Sequence, residues 1–84
     1  MPFFCYLLEC NNGTYYCGWC VNVEKRTKEH NRGRGAKYTR MHLPVKLVYY
    51  EELPNRSDAM HREHQIKKIS HLEKRHLIEG FHHD

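Results

Sequence analysis

No stretch of this 84-residue chain approaches the roughly 18 consecutive apolar residues that a membrane-spanning helix needs. The N-terminal segment also lacks the basic head, apolar run and small-residue exit of a secretory signal. These absences predict a protein that neither spans a membrane nor enters the secretory route, and they point to the cytoplasm. Proline and glycine are sparse, at three and five residues, and no repeat or low-complexity linker interrupts the pattern. A single domain is expected over 1–80, with a flexible tail at 81–84. Disorder is excluded by 39% hydrophobic and 12% aromatic residues, enough apolar surface to build a core. That core is small, because a chain of this length buries only about 60% of its unfolded surface.

A second C-x-x-C motif is missing too. Cys17-Gly18-Trp19-Cys20 has the spacing that holds zinc or does redox chemistry, but it lies inside a strand-like run and has no partner motif. Reduced, buried cysteines are the expectation, with a zinc-stabilised interaction domain as the alternative.

What the chain does have is unevenly placed charge. The formal net charge is only +4. Between positions 25 and 40, however, Lys25, Arg26, Lys28, Arg32, Arg34, Lys37 and Arg40 oppose the single Glu29, a local +6 that leaves −2 elsewhere. Such a block on a near-neutral body is the electrostatic footprint of a polyanion binder, although a solvated charge run looks the same.

The apolar runs Phe3–Cys10 and Thr14–Cys20 flank Asn11-Asn12-Gly13 and predict a β-hairpin. Asn22 is a suitable N-cap for a helix reaching about 30–32, ended by Arg32-Gly33-Arg34-Gly35. A loop with a short turn follows, then a third strand over 45–50. A helix opens at 55–58 and runs to about Ile69, and Ser70 with Glu73 forms a capping box for a last helix fading near Gly80. The order β-β-α-β-α-α predicts an α+β domain, a three-stranded antiparallel sheet flanked by helices.

Several polar residues stand where this pattern asks for apolar ones. On the helix from Asn55 to Ile69, Ala59, Met60, Ile66 and Ile69 mark the expected sheet-facing side, and Glu63 falls on the same stripe. A carboxylate there needs a cation, a proton or a tilt to solvent. Arg26 and His30 are four apart and share one helix face. A hydrogen-bonded structural histidine would account for His30 alone. Together, Arg26, His30 and Glu63 suggest a polar site between two helices and the hairpin. Tyr16 precedes Gly18, where a strand glycine permits close approach by another group.

Phe4-Cys5-Tyr6 followed by Tyr16-Cys17-Gly18, then Arg26, His30, Tyr38 and Glu63 in order, resembles the GIY-YIG nucleases. The run from His30 to Arg40 looks like their stand-alone, single-domain bacterial branch. Phe4-Cys5 stands where the first motif carries Gly-Ile, and the late polar residue of several members has no equivalent among 70–79. The resemblance implies an endonuclease that hydrolyses DNA phosphodiester bonds with one Mg²⁺ or Mn²⁺, held by Glu63. Tyr16 would orient or deprotonate the attacking water, and Tyr6 would support the water or the phosphate. Arg26 would stabilise phosphate charge, and His30 and Tyr38 would position it or relay a proton. Lys25, Lys28, Arg32, Arg34, Lys37 and Arg40 are the expected contacts to DNA, with branched or damaged forms among the candidate substrates and DNA repair or recombination as the setting. Specificity would come from DNA shape or an accessory protein, and the oligomeric state is left open. The alternative is a nucleic-acid-binding module of the same fold with little or no cleavage.

Overall fold

The computed structural model describes residues 2–81. Strands β1 (Phe3–Glu9) and β2 (Tyr15–Cys20) form the expected hairpin. Its turn closes by the Cys10 N–H donating to Thr14 O at 2.8 Å and the Gly13 N–H to Cys10 O at 3.0 Å. Gly13 sits at φ 82°, the left-handed region that a residue without Cβ enters freely. Helix α1 (Val23–Asn31) starts where the Asn22 side chain accepts the Lys25 N–H. A single helical turn, α2 (Lys37–Arg40), occupies the segment whose composition predicts a loop with a short turn. Strand β3 (Lys46–Leu53) extends past the expected end at Tyr50, because Glu51 and Glu52 continue the pairing with Cys5 and Phe4. Helices α3 (Arg56–Lys68) and α4 (His71–Glu79) begin at Asn55 and at the Ser70–Glu73 capping box.

The sheet is antiparallel with order β2-β1-β3, so β1 is central and β2 is an open edge. Alternation along β1 feeds two cores. Tyr6 and Leu8 face one side with Cys10, Cys20 and Val45, and Val23 of α1 packs there. Cys5 and Leu7 face the other side with Cys17 and Ile66, covered by Ile69, Leu77 and Ile78 of the α3–α4 region. Helices α1 and α3 therefore lie on opposite faces of the sheet.

Two expectations need correction. Met60 is 49% exposed, so it does not face the sheet; Ala59 and Ile66 carry that contact. Met60 is one position past Ala59, which turns it about 100° away from the sheet. Phe81, expected in a loose tail, packs edge-on against Tyr49 and Tyr50; the rest of that tail, 82–84, lies outside the described residues. No helix among the described residues is long and apolar enough to cross a membrane.

Ile66 is 1% exposed and joins α3 to the sheet. Its truncation removes buried methyl groups and leaves a cavity under the helix. Ile66→Ala is expected to cost about 2–5 kcal/mol in urea unfolding, a large share of the stability of a domain this size.

Candidate active site

A buried hydrogen-bond chain links β1, α1 and α2. The Tyr6 hydroxyl lies 3.0 Å from His30 Nε2, His30 Nδ1 lies 2.8 Å from Thr39 Oγ1, and Thr39 donates to Ala36 O at 2.9 Å. The last link decides the direction of the others. A carbonyl only accepts, so it takes the single hydroxyl proton of Thr39. Thr39 Oγ1 must then accept from Nδ1–H. Full burial beside the Arg26 guanidinium keeps the ring neutral, so Nε2 carries no proton and the Tyr6 O–H donates to it. Consistently, the His30 pKa is lowered to about 4, first by burial and then by the Arg26 guanidinium. Burial pushes the Tyr6 phenol upward, opposed by a hydrogen bond from Arg26. Tyr6 is 2% exposed and His30 fully buried.

Two glycines make room for this pair. A Cβ on Gly18, the cross-strand partner of Tyr6, would stand 2.6 Å from the Tyr6 hydroxyl. A Cβ on Gly35 would stand 2.0 Å from His30 Nδ1. Gly35 lies against the face of the imidazole, and no side chain fits there without moving the ring.

Around this buried pair lie the groups that reach solvent. The Tyr16 ring, half-buried, sits 5.3 Å from the His30 ring between centroids. Arg26 is half-exposed, and Glu29 lies 3.8 Å away as a loose ion pair. Tyr38 is 41% exposed. Its hydroxyl donates to Thr14 Oγ1 at 2.7 Å, because the Thr14 proton goes to Asn12 Oδ1. The hairpin turn thereby anchors Tyr38 beside the chain formed by its neighbour Thr39. Lys25, Lys28, Arg32, Arg34, Lys37 and Arg40 are all exposed along α1, the following loop and α2.

Glu63 comes from the other face of the sheet. Three contacts align α3 and the start of α4 along the edge strand: Arg56 lies over the Trp19 ring at 5.6 Å, Cys17 Sγ is 3.9 Å from Glu63 O, and Tyr15 stacks on His71 at 4.6 Å. Glu63 is thus level with Cys17, next to Tyr16 in sequence, while Tyr16 turns to the α1 side. The Glu63 side chain is 21% exposed and has Lys67 as an ion-pair partner at 3.6 Å. No group of three His, Cys, Asp or Glu side chains is placed to hold a metal among the described residues. A cation here would have one protein carboxylate and would complete its shell with water and substrate oxygens. That donor set fits Mg²⁺.

The cysteines do not form a zinc site. Residues three apart in a strand point to opposite faces, and Cys17 and Cys20 lie in separate cores. All four cysteines are free and buried.

A GIY-YIG catalytic domain matches residues 2–75. The chain belongs to the GIY-YIG family. Its relatives are UPF0213 proteins of bacteria and archaea. That of Syntrophus aciditrophicus is 53% identical over 89% of this chain and 87% of its own length. That of Halobacterium salinarum is 47% identical over 87% of this chain and 95% of its own. The solution NMR structure of the UPF0213 protein from Bacillus halodurans superposes with a TM-score of 0.59 at 38% identity, covering 94% of this chain and 84% of that one. A second NMR structure, of an E. faecalis protein, gives 0.57 at 35% identity over 100% and 94% of the two chains. The α+β fold and family membership of this GIY-YIG protein are thus established together.

Sequence reasoning missed Thr39 and Gly35 as parts of the site. Thr39 carries a signal in hindsight, since a histidine on an inward helix face needs a polar partner for each ring nitrogen. The Gly35–His30 approach has none, because it depends on how the loop after α1 folds back.

The neutral, buried state of His30 has a consequence for stability. Its folded pKa lies below the ordinary 6.5, so between about pH 4 and 6.5 the unfolded chain binds more protons. The stabilisation is fully present above pH 6.5 and is lost as pH falls toward 4, by up to roughly 3 kcal/mol. Urea midpoints at pH 7 and pH 5 should show that loss, and His30→Gln should flatten it. Gly35→Ala should destabilise at both pH values by displacing the ring.

Proposed function

We propose that this GIY-YIG protein is a metal-assisted DNA endonuclease that hydrolyses phosphodiester bonds. The observation carrying the reading is the convergence of Tyr16, Arg26 and the buried Tyr6–His30 pair on one side of the edge strand, with Glu63 level with it on the other. Hydrolysis needs an oriented water, positive charge on the non-bridging oxygens and a path for a proton. Arg26 is the half-exposed cation for the phosphate. Tyr16 is the phenol that reaches solvent and holds the attacking water. Tyr6, whose proton is committed to His30, keeps its oxygen lone pairs toward Arg26, which fixes the guanidinium. His30 is out of reach of substrate and acts through Tyr6 and the Tyr16 ring. Tyr38, tied to the hairpin turn, borders the site beside the basic strip. Glu63 would hold the Mg²⁺ or Mn²⁺ ion, which supplies Lewis-acid charge stabilisation when bound.

DNA is the partner this reading requires, with Lys25, Lys28, Arg32, Arg34, Lys37 and Arg40 on backbone phosphates. Phosphate contacts position the molecule without reading sequence. Binding without cleavage is the second reading, favoured by the single carboxylate available to a metal.

The deciding experiment is a nicking assay on supercoiled plasmid and on branched DNA with Mg²⁺ or Mn²⁺. Arg26→Ala and Glu63→Ala should each lower the rate on the order of 10²–10³-fold, the size found for removing one transition-state charge stabiliser, and chelation of the metal should abolish the product. Equal activity in both variants would sink the mechanism. Salt-sensitive binding by the wild type with no metal-dependent product would establish the second reading instead.

A further inference from the structure

The basic strip from Lys25 to Arg40 lies on one side of the open β2 edge, and the other side is not bare. On α3, Arg56, Met60, Glu63 and Lys67 follow one another at helical spacing and form a single stripe. The position of that stripe is set by contacts. Arg56 lies over Trp19 of β2, and the backbone of Glu63 touches Cys17 of β2. Arg62, by contrast, turns to the far side and binds Glu51 of β3 at 2.5 Å. The stripe therefore runs along the β2 edge on the face opposite α1. Its members reach solvent: Arg56 is exposed, Met60 is 49% exposed and the Lys67 side chain 51%. His71, stacked on Tyr15, continues the row at the start of α4.

On the α1 side, the end of β2 and Asn22, Lys25, Arg26 and Glu29 line an open hollow of about 270 Å³. Cations thus flank the edge strand on both faces, with Lys25 and Arg26 on one and Arg56 and Lys67 on the other. Glu63 and Tyr16 lie between them. We propose that Arg56 and Lys67 form a second contact surface for the phosphate backbone of duplex DNA, so that the duplex lies across the β2 edge and is held from both sides. The inference rests on DNA being the partner, and it assigns the surface beyond the Lys25–Arg40 strip that completes the grip. Met60 fits such a surface as an apolar spacer between the two cations.

Duplex binding is measured without divalent metal as a function of salt, so cleavage plays no part. The slope of log affinity against log salt falls by about 0.9 for each phosphate contact removed. The double variant R56Q/K67Q should flatten the wild-type slope by roughly 1.8. K68Q/R75Q removes as much charge from exposed positions of α3 and α4 outside the stripe and should leave the slope within error of wild type. R56K/K67R keeps the charges and should keep the slope. An unchanged slope in R56Q/K67Q, equal flattening in K68Q/R75Q, or flattening in R56K/K67R would each overturn the proposal. If K28Q/R32Q flattens the slope while R56Q/K67Q does not, the second surface fails and the DNA partner stands. A wild type with no affinity for duplex would overturn both. A flattened R56Q/K67Q slope in a protein that never nicks DNA upholds the surface and leaves only the cleavage reading to fall.

Discussion

The donation of the Tyr6 hydroxyl to a neutral His30 is the interaction on which the arrangement turns. It joins the central strand to α1, and through Thr39 it joins α1 to α2. No buried side-chain nitrogen or oxygen among the described residues is left without a hydrogen-bond partner. In an interior of low dielectric, such a network holds its members in one geometry, because any slip leaves a donor or acceptor bare. Gly18 and Gly35 belong to the same constraint. Their missing side chains are the space that the phenol and the imidazole occupy.

A sheet of only three strands has consequences of its own. The central strand is buried on both faces, and Cys5, Tyr6, Leu7 and Leu8 are all at most 2% exposed. Packing helices on both faces supplies two small cores in place of one large one, which suits a chain with little apolar surface to spend. It also leaves β2 as an edge, where groups from opposite faces can come close. The site proposed above is consequently an edge site, with its tyrosines and arginine on one side and its carboxylate on the other. Cysteine in both cores acts as a small apolar residue; Cys5 and Cys17 lie 3.8 Å apart as thiols, and the hydrogen bond with Cys17, then burial, raises the Cys5 pKa.

Much of this was legible in the residues. Asn22, Asn55 and Ser70 each accept the N–H expected of a cap, and Asn12-Gly13 makes the turn that joins two apolar runs. Arg26 and His30 do share the inward side of α1. Less legible was the third strand, where Glu51 and Glu52 look like a strand end. Glu51 instead stays in the sheet because Arg62 and the Tyr49 hydroxyl satisfy its carboxylate. The inward face of α3 was misjudged at Met60, since an apolar side chain on an amphipathic helix can equally border the stripe.

By itself, the sequence determined the local elements, their order and the face of each strand on which a given tyrosine or cysteine falls. These follow from periodicity and from hydrogen bonds between residues a few positions apart, which short segments satisfy alone. Two things were settled only by tertiary packing. One is the tautomer of His30, decided by Thr39 nine residues away spending its proton on Ala36. The other is the approach of Glu63 to the β2 edge from the face opposite Arg26. Both depend on which surfaces of distant segments bury each other. Apolar burial has no direction of its own, so the folded sheet, and not the local pattern, chooses where those side chains meet.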